Sequence, residues 1–203
     1  MNLETWLAFL AASAAVLIIP GPTILLVLGQ SVGGDRRSTF PLVAGVAAGD
    51  ALAMSLSLAG LGALLAASSL AFTVLKWAGA AYLLWLGFRM WRAPVEGAQP
   101  PAPPRRAGLQ AFLVTATNPK SIAFFVAFVP QFLDPARPFL PQAGLLVGSF
   151  VILGAGNSLG YALLAGRLSS AIRRPGTRRI LNRAGGSMLI GAGLATALLG
   201  RRA

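Results

Sequence analysis

The 203-residue sequence contains no cysteine and no histidine, and only 5 acidic residues stand against 17 Lys and Arg. Without cysteine there is no disulfide, no thiol nucleophile and no thiolate-held cluster. Without histidine, and with so few carboxylates, zinc sites and Ser-His-Asp triads cannot be assembled. Charge itself is scarce: 11% of the residues are charged, where a soluble domain carries about 25%. What fills the chain is apolar, with 56% hydrophobic residues and a mean hydropathy of +0.72. This composition describes a chain surrounded by a lipid bilayer, and no cofactor is expected.

The few charges leave four long intervals with none, at 5–34, 51–75, 138–166 and 184–200. Crossing about 30 Å of hydrocarbon takes roughly 20 apolar helical residues at about 1.5 Å each. Six segments meet or approach that length: Thr5 to Gly29, Thr39 to Ala66, Leu70 to Phe88, Gly108 to Phe132, Leu140 to Gly166 and Leu181 to Gly200. A cleaved signal peptide is the competing reading of the first, but the residues before it, Met1 to Glu4, are acidic rather than basic, and the apolar run continues past Pro22 to Leu28. A retained span is expected.

A net charge of +12 fits either a nucleic-acid binder or an oriented membrane protein. A nucleic-acid partner requires basic clusters on a soluble face, and no soluble domain remains to carry one. The basic residues fall between apolar segments instead. Arg36, Arg37, Arg89, Arg92, Arg105, Arg106, Arg167, Arg173, Arg174, Arg178, Arg179 and Arg183 lie in or around loops one, three and five, 12 in all, against at most 4 on the other side: Lys76 at the edge of the second loop, Arg137, Arg201 and Arg202. The positive-inside rule places the first set in the cytoplasm and both termini outside.

Pro94, Pro100, Pro101, Pro103 and Pro104 exclude a helix from the third loop, which reads as a cytoplasmic linker. It divides the chain into a first three-helix unit, 1–92, a linker, 93–107, and a second three-helix unit, 108–203. The two units look alike. Pro20-Gly21-Pro22 answers Asn118-Pro119-Lys120, Pro41 answers Pro141, and Ala78-Gly79, Leu83 and Gly87 recur as Ala184-Gly185, Leu189 and Gly193, at offsets of 98, 100 and 106. Gly, Ala and Leu are frequent enough here for chance matches to compete with a true repeat. An odd number of crossings per unit makes the second enter from the opposite side. The expected fold is therefore all-α: six transmembrane helices in two inverted three-helix repeats, with the first and fourth helices broken.

A proline inside a membrane helix frees backbone carbonyls, which must find partners or line a cavity. Breaks at matching places in two repeats point to one site, and a helix beginning after each break aims free N–H groups and its positive dipole end inward, suiting a carboxylate. A packing kink is the alternative. Counted from the cytoplasmic ends, Asp50 lies about 16 Å deep, Asn118 about 15 Å, Pro22 about 12 Å and Asn157 about 14 Å. A carboxylate at that depth costs on the order of 2.5 to 3.5 kcal/mol on insertion scales, so Asp50 pairs, protonates or faces a cavity rather than lipid. Lys120, about 18 Å deep, is the other buried charge, and a purely structural Asp50–Lys120 ion pair stands as the alternative to a binding site. Gly45 and Gly49, like Gly144 and Gly148, have the spacing that lets helices approach closely, with backbone binding a lesser alternative. Trp77, Tyr82, Trp85 and Trp91 read as interfacial or packing aromatics, with a cation box as the alternative.

Taken in order, Pro20-Gly21-Pro22, Gly45-x-x-x-Gly49-Asp50, Lys76-x-x-Gly79-Ala80-Ala81-Tyr82-Leu83-x-x-Leu86-Gly87, and Asn118-Pro119-Lys120 followed by Phe124-Phe125 and Val129-Pro130-Gln131-Phe132 resemble the LysE/RhtB family of bacterial amino-acid exporters. The resemblance covers nearly the whole chain, except that the region after Leu168 departs from its motifs. It implies a six-span carrier in the bacterial inner membrane that exports amino acids at the expense of the proton gradient. The Asn118-Pro119-Lys120 run with its phenylalanines is closer to the homoserine, threonine and leucine branch than to the lysine and arginine branch.

Together these lines place a zwitterionic amino acid with its carboxylate near Lys120 and the helix starts after Pro22 and Pro119, and its ammonium facing Asp50. A cationic side chain would add a charge with no partner, which favours small neutral substrates such as homoserine, threonine or leucine. Proton exchange falls to Asp50, because Glu4, Asp35, Glu96 and Asp134 lie at ends or in loops. The competing class is a membrane scaffold or assembly subunit whose deep polar residues only hold helices together. A channel lacks a filter-like repeat, and an enzyme lacks a base for Ser55, Ser57 or Ser121. A monomer and a homodimer packed through the glycine faces are both open. The orientation is checked by a reporter active only in the periplasm, fused after Ala203. It is active if the number of crossings is even, and a cytoplasmic signal alone means an odd number.

Overall fold

The computed structural model describes residues 1–31, 39–67, 69–92, 106–165 and 174–199. Eight α-helices occupy these residues: α1 (Leu3–Ile18), α2 (Pro22–Ser31), α3 (Thr39–Ala67), α4 (Ser69–Arg92), α5 (Ala107–Ala116), α6 (Pro119–Ala127), α7 (Phe139–Leu163) and α8 (Pro175–Leu199), with a 3-10 turn at Val129–Phe132. Most of the proline-rich linker and the sites of Asp35, Arg36, Arg37, Glu96, Arg105, Arg167 and Arg173 lie outside the described residues.

The helix limits follow from local chemistry. Asn2 caps α1 by accepting from the Thr5 backbone N–H at 2.8 Å, and Glu4 in the first turn complements the helix dipole. Pro20 forces Ile19 into extended backbone, because its ring excludes the helical region for the residue before it. The chain resumes helix at Pro22, where a missing N–H costs nothing, and Gly21 accepts the first helical bond, from Leu25 N–H at 2.9 Å. The bend between α1 and α2 is 56°. The second break repeats this chemistry. Asn118 is extended before Pro119, its side chain caps α6 by accepting from Lys120 N–H at 3.1 Å, and its carbonyl accepts from Ile122 N–H at 3.0 Å. The helix starts align Pro22 with Pro119 and Gly21 with Asn118, an offset of 97 residues. The sequence match of 98 is thus one residue out of register, because the capping role, not the residue letters, defines equivalence.

By length and apolarity, two of the described helices are able to cross a bilayer, Thr39–Gly62 within α3 and all of α7, and the α1–α2 pair makes a third if it is one bent span. Large apolar side chains face outward on several helices, including Phe40 at 82% and Ile152 at 73% exposure. Such a surface suits hydrocarbon rather than water.

Three contacts assemble the helices. Phe9, Phe124, Phe125 and Phe150 form an aromatic core joining α1, α6 and α7, completed by Met54 and Leu58 of α3. Phe125 and Phe150 meet edge to face at 4.8 Å between centroids. The second contact is α3 against α5. A side chain at Gly45 would collide with the Gly108 carbonyl, and a Cβ at Gly49 would lie 2.8 Å from the Phe112 carbonyl oxygen. The third is α4 against α8, where a Cβ at Gly87 would lie 2.7 Å from the Gly186 oxygen and a Cβ at Gly193 would lie 3.0 Å from the Ala80 oxygen. At these crossings only glycine lets backbones approach so closely. The Gly144 and Gly148 pair behaves differently from its expected packing role. A Cβ at either would meet nothing within 4 Å, since that stripe of α7 points away from the bundle. Trp85 and Trp91 each carry an arginine over the ring face, Arg89 at 5.3 Å and Arg183 at 5.1 Å.

Alanine in place of glycine adds the same helix propensity at each site, about 1 kcal/mol, so differences isolate packing. Gly49→Ala and Gly87→Ala are expected to destabilise the protein by about 1–3 kcal/mol, whereas Gly148→Ala is neutral or stabilising. Thermal unfolding of the three variants in one detergent checks this order.

Candidate functional site

The last four carbonyls of a helix have no partner within it, and inside a membrane such groups are costly to leave bare. At the end of α1 they are met by side chains from two other helices. Lys120 Nζ of α6 donates to the Val16 carbonyl at 3.0 Å and to the Ile19 carbonyl at 2.8 Å. Asn157 Nδ2 of α7 donates to the Leu17 carbonyl at 3.0 Å, and the Tyr161 hydroxyl, one turn further along α7, donates to the Ile18 carbonyl at 2.6 Å. Four consecutive carbonyls are thereby satisfied.

A second set of bonds ties the two breaks together. Asn118 Nδ2 donates to Thr23 Oγ1 at 3.1 Å, and Thr115 Oγ1 donates to the same oxygen at 3.3 Å. Asn118 thus caps its own helix with its oxygen and reaches the first turn of α2 with its nitrogen.

Between the breaks lies a cavity lined by Val16 and Leu17 of α1, Gly21, Thr23 and Ile24 at the start of α2, Val46 and Asp50 of α3, Asn118, Lys120 and Ser121 at the start of α6, and Ser158 of α7. It has room for about one water molecule, too little for an amino acid in this conformation. Its walls combine two helix starts, one helix end, one carboxylate and one ammonium. Asp50 is 3% exposed. Its Oδ2 rests against the Cα of Gly154, where a Cβ would lie 2.7 Å away. Among the described residues, no hydrogen bond reaches the Asp50 carboxylate and no ion pair within 4 Å includes it. The charges of Asp50 and Lys120 attract one another across the cavity, but the direct ion pair entertained as the structural alternative is not formed, because Lys120 Nζ is engaged by the α1 carbonyls.

Of the residues singled out in the sequence, the fold brings Gly21, Asp50, Asn118 and Lys120 to the cavity wall. Pro20, Pro22 and Pro119 create the breaks without lining it. Gly45 and Gly49 sit at the α3–α5 crossing, and Asn157 holds the end of α1. Sequence reasoning missed Thr23, Thr115, Ser121, Ser158 and Tyr161. Tyr161 had a signal, since it follows Asn157 at helical i, i+4 spacing. The others carry no mark that separates them from ordinary helix hydroxyls.

The described residues, helical with an apolar exterior and a small charged cavity at paired helix breaks, form an arrangement of the membrane-carrier kind. The family model "LysE type translocator" matches residues 6–200, and the chain belongs to that family. A relative from Vibrio cholerae serotype O1, described as an uncharacterized membrane protein, is 37% identical over 198 residues, covering 96% of this chain and 97% of the relative. A homoserine/homoserine lactone efflux protein of Salmonella typhimurium strain LT2 is 37% identical over 203 residues, covering 97% and 98%, and one of the same name from Salmonella typhi matches equally. No solved structure matches the chain.

The capping of α1 makes a quantitative expectation. Asn157→Leu, which removes the donor of a half-buried bond, is expected to cost about 1–3 kcal/mol, and Tyr161→Phe, which removes an exposed one, less. Unfolding of the single and double variants in detergent measures the loss, and values within error of the parent for both singles would show that the carbonyls find other partners.

Proposed function

We propose that the protein is an inner-membrane exporter that moves small neutral amino acids, homoserine foremost, out of the cytoplasm by proton-coupled alternating access. The observation that carries this reading is the convergence of both helix breaks on one cavity that presents Asp50, Lys120 and the starts of α2 and α6. A zwitterion needs one anion-binding and one cation-binding wall, and the cavity offers both. The two Salmonella relatives, named for homoserine and homoserine lactone efflux, support homoserine as the first substrate to try.

The carrier is read as six spans in two inverted halves, with both termini periplasmic. Packing between α4 and α8 supports the repeat. Gly87 lies against Gly186 and Ile190, and Gly193 lies against Ala80 and Leu84. Shifting the first set by the 106 residues that separate Gly87 from Gly193 produces the second. That reciprocity is what a two-fold axis across an antiparallel helix pair generates, and inverted repeats have such an axis in the membrane plane. The cavity is too small for the substrate in this conformation, so the cycle requires it to widen.

Asp50 is assigned the proton because the other described carboxylates are peripheral, Glu4 in the first turn of α1 and Asp134 paired with Arg137 at 3.1 Å in an exposed loop. Proteoliposomes preloaded with homoserine, threonine, leucine and lysine test the proposal. Saturable loss of the neutral compounds, accelerated by an imposed proton gradient, is expected, with the gradient-driven component reduced at least about tenfold in Asp50→Asn. Absence of flux for every compound favours the scaffold reading, and undiminished flux in the variant removes Asp50 from the coupling.

A further inference from the structure

We propose that the Val16 and Ile19 carbonyls at the broken end of α1, with the Asp50 carboxylate across the same cavity, form the subsite for the α-ammonium of the transported molecule, and that the ammonium of Lys120 occupies it in the empty carrier as a tethered stand-in. The inference rests on the export reading above and names the group that the site recognises.

The geometry of Lys120 is the starting point. Its Nζ sits 3.0 Å and 2.8 Å from two carbonyl oxygens at a helix end, where the dipole is negative and favours a cation. A primary ammonium has three N–H donors, so a ligand ammonium reproduces these two bonds and keeps a third donor. The neighbouring carbonyls, of Leu17 and Ile18, are held by Asn157 and Tyr161, which fix the direction of the helix end whether or not Lys120 is present there.

Asp50 supplies the second, independent observation. It is almost wholly buried, lines the same cavity and receives no hydrogen bond among the described residues. An ionised carboxylate only accepts, and burying it unpaired is expensive, so it is an acceptor in want of a donor. A ligand ammonium at the α1 carbonyls takes the place of Nζ, beyond direct bonding distance of Asp50, and offsets the charge of the carboxylate across the cavity. Gly21 places no side chain against Lys120: a Cβ there would lie 3.3 Å from both Cε and Nζ.

The chemistry of the candidate substrates points the same way. Homoserine and its lactone share the α-ammonium and the four-carbon skeleton, but ring closure consumes the carboxylate. A carrier that accepts both compounds therefore relies on the ammonium. The carboxylate, where present, meets the displaced Lys120 and the starts of α2 and α6 as an added contact.

Homoserine efflux from proteoliposomes holding the unaltered chain, with a competitor co-loaded, tests this. Homoserine lactone is expected to compete, whereas 4-hydroxybutyrate and γ-butyrolactone, which keep the rest of each molecule but lack the ammonium, compete at least about tenfold more weakly. Competition by the ammonium-free compounds within about threefold of the lactone, while homoserine flux is intact, overturns the subsite and leaves the export reading standing. No flux of either homoserine or the lactone overturns both. Lys120→Met provides a second readout: removal of the stand-in is expected to lower homoserine flux about tenfold while lactone flux is kept or raised, and an equal fall in both from inserted, folded protein contradicts the exchange.

Discussion

Four carbonyls at the end of α1 govern much of this structure. Pro20 ends the helix inside an apolar surrounding, and the freed oxygens of Val16, Leu17, Ile18 and Ile19 have to be satisfied by donors from elsewhere. Lys120, Asn157 and Tyr161 supply them. Those three residues come from α6 and α7, so a defect in one helix is repaired only when the second half of the chain has folded onto the first. The break therefore couples the halves, and it also creates the negative helix end that a cation can use.

Close approach is the second requirement. For Lys120 to reach α1, and for Thr23 to meet Asn118 and Thr115, the backbones around the cavity must be near one another. Glycine provides this at the crossings of α3 with α5 and α4 with α8. Leucine-sized residues there would push the helices apart by several ångströms and separate the polar groups. Phenylalanines from α1, α6 and α7 then fill the space on one side of the cavity, which keeps water out and strengthens the electrostatics within. Stability and site are in this sense the same contacts viewed from two directions.

Much of the architecture was legible in the residues alone. Intervals free of charge marked the helices, and prolines after Ile19 and Asn118 marked both breaks, because the residue before proline leaves the helical region whatever surrounds it. Asp50 and Lys120 stood out because charge is so rare in the apolar segments. Other features were out of reach. Gly144 and Gly148 have the same spacing as Gly45 and Gly49, yet one pair faces outward and the other packs, and spacing carries no information about which side of a helix a neighbour occupies. Thr23 and Tyr161 are ordinary residues until their partners are known.

Where helices begin, end and break follows from the local residues, since propensity, capping and proline sterics act over a few positions. That Lys120 turns to the carbonyls of α1 and not to Asp50, and that Asp50 is left without a hydrogen bond among the described residues, follows from how the helices pack. That choice depends on distances between side chains and backbone more than 60 residues apart in the chain, where fractions of an ångström separate a charge-assisted bond from a mere attraction.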